Sequence, residues 1–150
     1  MAAAREETKP QKRADYPHLL PIPTRWLDND VYGHVNNVQY YAFFDTVINH
    51  WLIEEGGLDI HRGQVIGVCA ESHCRFDAPI AFPATVDAGL RVGDVGGSSV
   101  RYEIGLFRGG SDERLAGGWF VHVFVDRDTR RPAGIPEPVR KSLERLVVDG

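Results

Sequence analysis

The sequence predicts an α+β fold in which one long, buried helix packs against a five-stranded antiparallel sheet. A polar loop is followed by an apolar stretch, residues 40–52, with the spacing of a helix. Three later segments alternate apolar and polar residues with the period of two typical of half-buried strands, and a fourth is apolar on both faces. The turns between them are short, which favours antiparallel pairing. A sheet with an apolar face needs a cover, and the long helix is the natural one.

Composition sets the outer limits of function. The 150 residues suit one domain with a real core, 43% of them are hydrophobic, and the net charge of −4 argues against nucleic acid as a partner. There is no run of 18 apolar residues, so no membrane span is expected, and the first residues lack the apolar region of a signal peptide. We therefore expect a cytoplasmic protein, with a disordered arm over residues 1–15 and a single domain over 16–150.

The first strand is expected over residues 19–26, at an edge of the sheet because Pro21 and Pro23 cannot donate to a ladder. The long helix follows the polar loop. Asn36 can cap it, with Gln39 placed for a capping box, and Gly56 and Gly57 are suited to end it. Apolar residues cover most of its circumference, which is typical of a buried helix.

Four strand segments follow, over residues 64–76, 84–93, 99–106 and 115–125. In the first, the alternation predicts one face with Ile66, Val68, Ala70, Cys74 and Phe76 and an opposite face with Glu71, His73 and Arg75. The last segment is apolar on both sides, which suits a central strand or one that faces a partner subunit. A short amphipathic helix with apolar residues up to Val147 ends the chain, with Pro136 or Pro138 in its first turn.

Two cysteines five residues apart, Cys69 and Cys74, would lie on opposite faces of a regular strand, so we expect them to stay reduced. No Walker, G-x-G-x-x-G or G-x-S-x-G motif occurs. The histidines show no zinc-binding spacing. We therefore expect neither a metal nor a redox cofactor.

The loop before the long helix is the best candidate for chemistry. Asp30 lies seven residues before Asn37, close enough for a turn to bring its carboxylate over the helix N-terminus. Hydrolysis of an ester needs a nucleophile or base, which a carboxylate supplies, and donors for the oxyanion, which free N–H groups at a helix start supply. The alternative is that Asp30 is only a loop acid stabilised by the helix dipole, an interaction worth roughly 0.3–1 kcal/mol.

Nearby polar residues have both structural and functional interpretations. Asp28 can cap, bridge to Arg25 or hold Asp30 in place. His34 is either a base or a turn histidine bonded to backbone, and Gly33 serves backbone conformation or close approach of a substrate. On the helix, Asp45 either faces a partner's active site or pairs with an arginine. Two further residues, Asn36 and Tyr40, suit a cap and the core, and both are also candidates for substrate binding.

The residues from Asp30 to Tyr40 closely resemble the D-x-x-G-H-V-N-N-x-x-Y signature of the 4-hydroxybenzoyl-CoA thioesterase family, and the layout of strand, loop, long helix and antiparallel strands resembles the hotdog fold. The resemblance implies hydrolysis of an acyl-CoA thioester by a homodimer or homotetramer with its active site between subunits. It implies that Asp30 attacks the thioester or activates water. It also implies that the backbone N–H of Asn37 polarises the carbonyl.

The site of the CoA nucleotide is less well defined by the sequence. Some members of the resembled family carry basic residues in the turn before the fourth strand, where this chain has Gly96, Gly97, Ser98 and Ser99. We take Ser98, Ser99 and Arg101, together with Arg91, as candidates for CoA binding, because arginine pairs well with phosphate. The alternative is that these are ordinary exposed strand residues.

Three functions are compatible with the pattern. The first is a hotdog acyl-CoA thioesterase in which CoA is part of the substrate and no other cofactor is needed. The second is a non-catalytic acyl-CoA binding or regulatory protein, for which the carboxylate of Asp30 would be unnecessary. The third is a hotdog hydratase, disfavoured because only His34 is available to pair with an acid.

Overall fold

The computed structural model describes residues 12–148. One strand, a long helix, four strands and a short helix follow one another along the chain, as the sequence predicts. The elements are β1 (His18–Pro23), α1 (Asn37–Glu54), β2 (Val65–Phe76), β3 (Thr85–Val95), β4 (Ser99–Arg108), β5 (Arg114–Asp126) and α2 (Glu137–Glu144). The strands form one antiparallel sheet in the order β1-β3-β4-β5-β2, and α1 covers one face of it, which is the hotdog architecture.

The long helix starts and ends where its sequence predicts, but the capping box expected between Asn36 and Gln39 is not formed, because the N–H of Asn36 donates to the carbonyl of Asp28. Asn36 is the N-cap and its side chain accepts a hydrogen bond from the N–H of Val38. The last helical turn is closed by Gly57, whose φ of +66° lies in the left-handed region that glycine adopts readily. The apolar face of α1 is buried against the sheet, and its core residues are Tyr40, Phe43, Phe44, Val47, Ile48, Trp51 and Leu52.

The faces predicted for β2 are wrong in part, because a β-bulge at Ala70 reverses the alternation. Cys69 pairs with His122, but Glu71 pairs with Val121, so Ala70 has no opposite residue. Residues paired across two strands share a face. The strand therefore places Cys69, Ser72, Cys74 and Phe76 on the helix side, whereas Ile66 and Val68 share the outer face with Glu71, His73 and Arg75.

Other element boundaries also differ from the predictions. The arm predicted over residues 1–15 lies mostly outside the described residues, but Arg13–Asp15 form a 3-10 turn. Trp26 belongs to a second 3-10 turn, Trp26–Asp28, and not to β1, because hydrogen bonds from Arg25 to Asp28 close that turn. Helix α2 ends at Glu144, and Val147 instead makes a bridge to Val92 of β3.

The outer face of the sheet has a slot filled by Tyr16. Gly89 of β3 and Gly105 of β4 are paired, and a Cβ at either position would lie within 2.7 Å of the Tyr16 side chain. The Tyr16 ring also contacts Phe107 edge-on, with ring centroids 5.8 Å apart. These glycines are therefore required for space, and they let the residues before β1 lie flat on the sheet. Among residues 12–148, no helix is both long enough and apolar enough to cross a membrane.

Candidate active site

A tight turn places Asp30 in front of the long helix. The N–H of Gly33 donates to the carbonyl of Asp30 at 3.0 Å, and the N–H of Asp30 donates to the carbonyl of His34 at 2.9 Å. Gly33 has a φ of +86°, and a Cβ there would meet no atom within 4 Å. Glycine is therefore favoured at this position by backbone conformation and not by lack of space.

The Asp30 carboxylate is held by two donors from its own loop. Its Oδ1 accepts from the N–H of Tyr32 at 2.8 Å, and its Oδ2 accepts from Nδ2 of Asn36 at 3.1 Å. The other end of the Asn36 amide, Oδ1, accepts from the N–H of Val38 at 2.9 Å. One side chain thus links the candidate nucleophile to the first turn of α1.

The N–H groups of the first turn of α1 are not all used in capping. Capping bonds occupy the N–H groups of Val38 and Gln39, which donate to the side chain and the backbone carbonyl of Asn36. Among residues 12–148, the N–H of Asn37 has no hydrogen-bond acceptor. A free N–H at the positive end of an 18-residue helix can stabilise a developing negative charge.

A network behind the loop fixes its position on the sheet. Asp28 is 2% exposed and accepts three hydrogen bonds from Arg25, one from its N–H and two from its guanidinium, so the structure supports the bridging role considered for this acid. The Asp28 carbonyl accepts from the N–H of Asn36, and the N–H of Val35 donates to the carbonyl of Ile80. The acid and the helix start are consequently held by buried groups as well as by the hydrogen bonds of the loop itself.

A cleft of about 560 Å³ opens beside these residues. One wall comes from the loop and the start of α1, and the other comes from the end of β2 and the residues after it. Its lining residues are Asp30, Tyr32, His34, Val35, Asn36, Asn37, Tyr40, Phe76, Asp77, Ala78 and Pro79. Asp30 and Asn37 therefore line the same cleft.

The far wall contributes a second carboxylate. Asp77 lies between two arginines, with its oxygens 3.0 Å from Nε of Arg114 and 3.5 Å from Nε of Arg75. Both arginines are on the outer side of the sheet, and no lysine or arginine lines the cleft within this chain. The cleft thus has two acids, of which Asp77 is paired with arginines that lie behind the cleft wall.

Two aromatic residues, Tyr40 and Phe76, line the cleft. Tyr40 is buried and its ring lies edge-on to Phe76, with centroids 4.9 Å apart. Burial raises the pKa of Tyr40, with a smaller contribution from nearby Cys74. Burial also raises the pKa of Cys74 to about 12, helped by the charge of Asp77, so this thiol stays protonated and is not a nucleophile at neutral pH.

The structure brings together only some of the residues proposed from the sequence. Those that line the cleft are Asp30, His34, Asn36, Asn37 and Tyr40. Gly33 belongs to the turn beside the cleft but does not line it, and Tyr32 lines it although it was not among the predicted site residues. Asp45 lies on the exposed side of α1, away from the cleft of its own chain, and its carboxylate accepts from Nδ2 of Asn49 at 2.9 Å.

The residues proposed for CoA binding are elsewhere. Ser98, Ser99 and Arg101 lie at the start of β4, whereas the cleft adjoins the opposite end of the sheet, where β4 pairs with the first residues of β5. The Arg101 guanidinium instead lies 4.4 Å from the centre of the Trp119 ring. Within one chain these residues do not meet the cleft, and their role in CoA binding stays a prediction.

Besides Tyr32 and Val35, the cleft is lined by four residues that were not proposed from the sequence, Phe76, Asp77, Ala78 and Pro79. They are about 40 residues from the motif along the chain, and the Asp-Ala-Pro sequence indicated only the end of a strand. Among residues 12–148, no group of three histidine, cysteine, aspartate or glutamate side chains is arranged to hold a metal.

Fold and site together define a hotdog protein with an acid at a helix N-terminus. Residues 24–143 match the family model of the Thioesterase-like superfamily, so the chain belongs to that superfamily. Membership supports thioester hydrolysis in general. No curated protein matches the chain.

Among solved structures, the PA5185 protein from Pseudomonas aeruginosa strain PAO1 is 55% identical, with a TM-score of 0.89 over 91% of this chain and 95% of that one. The PA2801 protein from the same species is 29% identical, with a TM-score of 0.80 over 85% and 98%. The 1,4-dihydroxy-2-naphthoyl-CoA thioesterase Slr0204 from Synechocystis is 17% identical and shares the fold, with a TM-score of 0.77 over 85% and 96%.

Proposed function

We propose that this protein hydrolyses acyl-CoA thioesters to a free acid and CoA. The observation that carries the proposal is that Asp30, whose carboxylate is held in place by hydrogen bonds, and Asn37, whose N–H has no acceptor among the described residues, line one cleft. A thioester whose carbonyl oxygen accepts from Asn37 would have its carbonyl carbon close to an acid that two hydrogen bonds hold in place. The aromatic inner wall formed by Tyr40 and Phe76 would take the acyl group.

Two routes use the same groups. In the first, Asp30 removes a proton from a water molecule, whose oxygen attacks the carbonyl carbon and forms an oxyanion that Asn37 stabilises. In the second, Asp30 itself attacks, the C–S bond breaks to give an anhydride, and water then hydrolyses that anhydride. In both routes the electron pair of the broken C–S bond leaves with the CoA sulfur, which ends as the thiol after it takes a proton.

A released-thiol assay across aromatic, branched, short and long acyl-CoA esters tests the proposal. The Asp30→Asn variant should lose about two to four orders of magnitude in rate while keeping its stability. Glu54→Gln is a matched control, because it removes an exposed carboxylate at the opposite end of α1 and should leave the rate unchanged. Equal rates in Asp30→Asn and wild type would remove Asp30 from the mechanism.

The same experiment separates hydrolysis from binding alone. A non-catalytic binding protein would form a lasting complex with intact acyl-CoA and release no thiol at any concentration. Trapping with hydroxylamine separates the two hydrolytic routes, because an anhydride at Asp30 gives a hydroxamate on that residue and the general-base route does not. An acyl-carrier protein ester in the same panel identifies the thiol carrier.

A further inference from the structure

The second wall of the cleft is a short segment, residues 77–80, that belongs to no helix or strand. It follows the end of β2, where the ladder to β5 stops. At its far end, the carbonyl of Ile80 accepts from the N–H of Val35 in the first wall. The residues between these two points line the cleft, so the contacts that hold them help to set its width.

Backbone hydrogen bonds tie the start of this segment to β5. The N–H groups of Asp77 and Ala78 both donate to the carbonyl of Leu115, at 2.9 and 3.1 Å. Leu115 is fully buried, so this acceptor is fixed in the core. The next residue, Pro79, has no N–H and can be held by a hydrogen bond only through its carbonyl.

Two arginines of the hairpin between β4 and β5 supply the remaining contacts. Arg108 is the last residue of β4, and its Nη2 donates to the carbonyl of Pro79 at 3.1 Å. Arg114 is the first residue of β5, and its Nε lies 3.0 Å from Oδ2 of Asp77 without making a hydrogen bond, so this contact is an ion pair. One hairpin therefore holds the wall at two positions.

The Arg114 side chain lies in a gap that a glycine provides. A Cβ at Gly117 would lie 2.0 Å from Nη2 of Arg114, so the guanidinium rests directly on the strand at that position. The paired residue in β4 is Gly105, whose space is taken by the hydroxyl end of Tyr16. Burial raises the pKa of Tyr16 to about 12, and the charge of Arg114 is the largest opposing influence, which agrees with their closeness. The tyrosine thus keeps Arg114 from moving toward β4.

Arg114 is the stronger of the two ionic partners of Asp77. The other is Arg75, whose Nε lies 3.5 Å from Oδ1 of Asp77 and whose side chain is 55% exposed. The Arg114 side chain is 21% exposed and its contact is shorter. Because water and salt screen exposed charges more strongly, removal of Arg114 should loosen Asp77 more than removal of Arg75.

We propose that Arg108 and Arg114 are positioning residues for the second wall of the cleft, and that they determine how tightly and how selectively the acyl group is held. The first wall has its own hydrogen bonds around Asp30 and Asn36, which involve neither arginine. Loss of one arginine should therefore weaken the grip on the substrate and leave the reacting groups in place. The inference rests on the proposed function for its substrate but not for the contacts that hold the wall.

Steady-state kinetics with the acyl-CoA that wild type hydrolyses fastest test the effect on binding. Arg108→Met and Arg114→Met keep the length of the side chain and remove its charge. Each should raise KM about fivefold, the upper end for a partly exposed charged contact, and change kcat by less than about twofold. The Lys variants at both positions should recover part of the loss. An unchanged KM in both Met variants, or a fall in kcat as large as the rise in KM, would overturn the proposal.

Glu55→Gln is the control for these variants. It removes an ion pair of similar length, 3.1 Å to Arg145, at the opposite end of α1, so neither constant should change. Across the panel of acyl groups, the Met variants should also discriminate less than wild type, because a looser wall fits each acyl group less closely. Undiminished discrimination in both Met variants would contradict the claim that these arginines determine selectivity.

A glycine substitution displaces Arg114 without removing any charge. Gly117→Ala places a methyl group where the guanidinium lies and should raise KM as Arg114→Met does. In the Arg114→Met background it should raise KM no further, because the displaced group is already gone. Gly93→Ala is the matched control, since its Cβ would lie 2.9 Å from the Glu103 carboxylate, which does not line the cleft, and its KM should equal that of wild type. Full additivity of Gly117→Ala and Arg114→Met would overturn the role of Arg114.

Hydrogen exchange tests the positioning without any activity measurement. Deuterium uptake by the peptide that contains Ala78, followed by mass spectrometry, should be several-fold faster in Arg114→Met than in wild type, because the wall opens more often. Glu55→Gln should exchange at the wild-type rate. Equal protection in Arg114→Met and wild type would show that the arginine does not hold the wall. Absence of turnover in wild type would refute the proposed function, while the exchange rates would still decide the positioning.

Discussion

The Asn36 side chain donates from Nδ2 to the Asp30 carboxylate at 3.1 Å, while its Oδ1 caps the N–H of Val38. The same amide therefore stabilises the helix and orients the candidate nucleophile. The cap has a structural value of about 0.5–2 kcal/mol, typical of Asn at this position. The bond to Asp30 is a separate contribution that a suitable substitution can remove alone.

We expect Asn36→Asp to separate these roles. Aspartate caps a helix as well as asparagine does, so the helix start should be retained. The free energy of unfolding should nevertheless fall at neutral pH, because the two carboxylates repel each other in the folded chain only. A second carboxylate 3.1 Å from Asp30 disfavours ionisation of both, so the acidic limb of the pH–rate profile should move to higher pH and the rate at pH 7 should fall. Urea denaturation and initial rates from pH 5 to 9 measure the two effects.

Asn49→Asp is the control for that variant, because Asn49 also donates to a carboxylate, that of Asp45, but outside the cleft. Its pH–rate profile should match wild type. A profile for Asn36→Asp that overlays wild type would show that the bond to Asn36 does not tune the acid.

The buried pair of His122 and Tyr102 predicts loss of stability in acid. His122 is 3% exposed, and its Nδ1 lies 3.0 Å from the Tyr102 hydroxyl. Burial lowers the pKa of His122 to about 4, and it raises the pKa of Tyr102. In the unfolded chain this histidine takes up a proton near pH 6.5, whereas in the folded chain it does so only at about pH 4. The stabilising contribution of neutral His122 is therefore fully present above pH 6.5 and is lost as the pH falls from 6.5 to 4.

The size of that loss is about 3 kcal/mol if His122 acts alone. The measurement is the free energy of unfolding from pH 7.5 to 4.5 in wild type and His122→Gln. The variant should be less stable at neutral pH and should show a smaller loss in acid. His61→Gln, which changes an exposed histidine, should keep the wild-type slope.

The contact of Tyr16 with two glycines predicts a coupled pair of substitutions. Tyr16→Ala removes a buried ring and should cost about 3–5 kcal/mol, in the range for large aromatic truncations. Gly105→Ala should also destabilise the protein, because its Cβ would lie 2.6 Å from the Tyr16 hydroxyl. In the double variant the added methyl group has no ring to meet.

The double variant should therefore lose less free energy of unfolding than the sum of the two single losses, by about 1 kcal/mol or more, in a double-mutant cycle measured with urea. Gly97→Ala is the control, since a Cβ there meets nothing within 4 Å and should change stability little. Strict additivity of Tyr16→Ala and Gly105→Ala would show that the ring does not occupy the slot in solution.

Local sequence patterns were enough to predict α1 and the loop before it. The cap at Asn36, the stop at Gly56 and Gly57 and the apolar circumference between them depend on residues within one or two helical turns of each other. The same holds for Asp30, because the six residues between it and Asn37 form a turn from local hydrogen bonds. The proline-containing edge strand was predictable for a similar reason, since proline lacks the donor that a second neighbour would need.

Properties that depend on distant residues were not predictable in this way. The alternation in β2 reverses at Ala70 because of its register with β5, some 50 residues away along the chain, and Asp77 faces Asp30 only because β2 ends beside the helix start. For the same reason, Ser98, Ser99 and Arg101 looked available to the substrate but lie at the other end of the sheet.

The sequence by itself determined the helix, its capped start and the acid in front of it, because short-range hydrogen bonds and apolar periodicity act between neighbours in the chain. The tertiary structure alone decided the second wall of the cleft, the faces of β2 and its place at the edge of the sheet, because strand order and register are fixed by packing between segments that lie far apart in the chain.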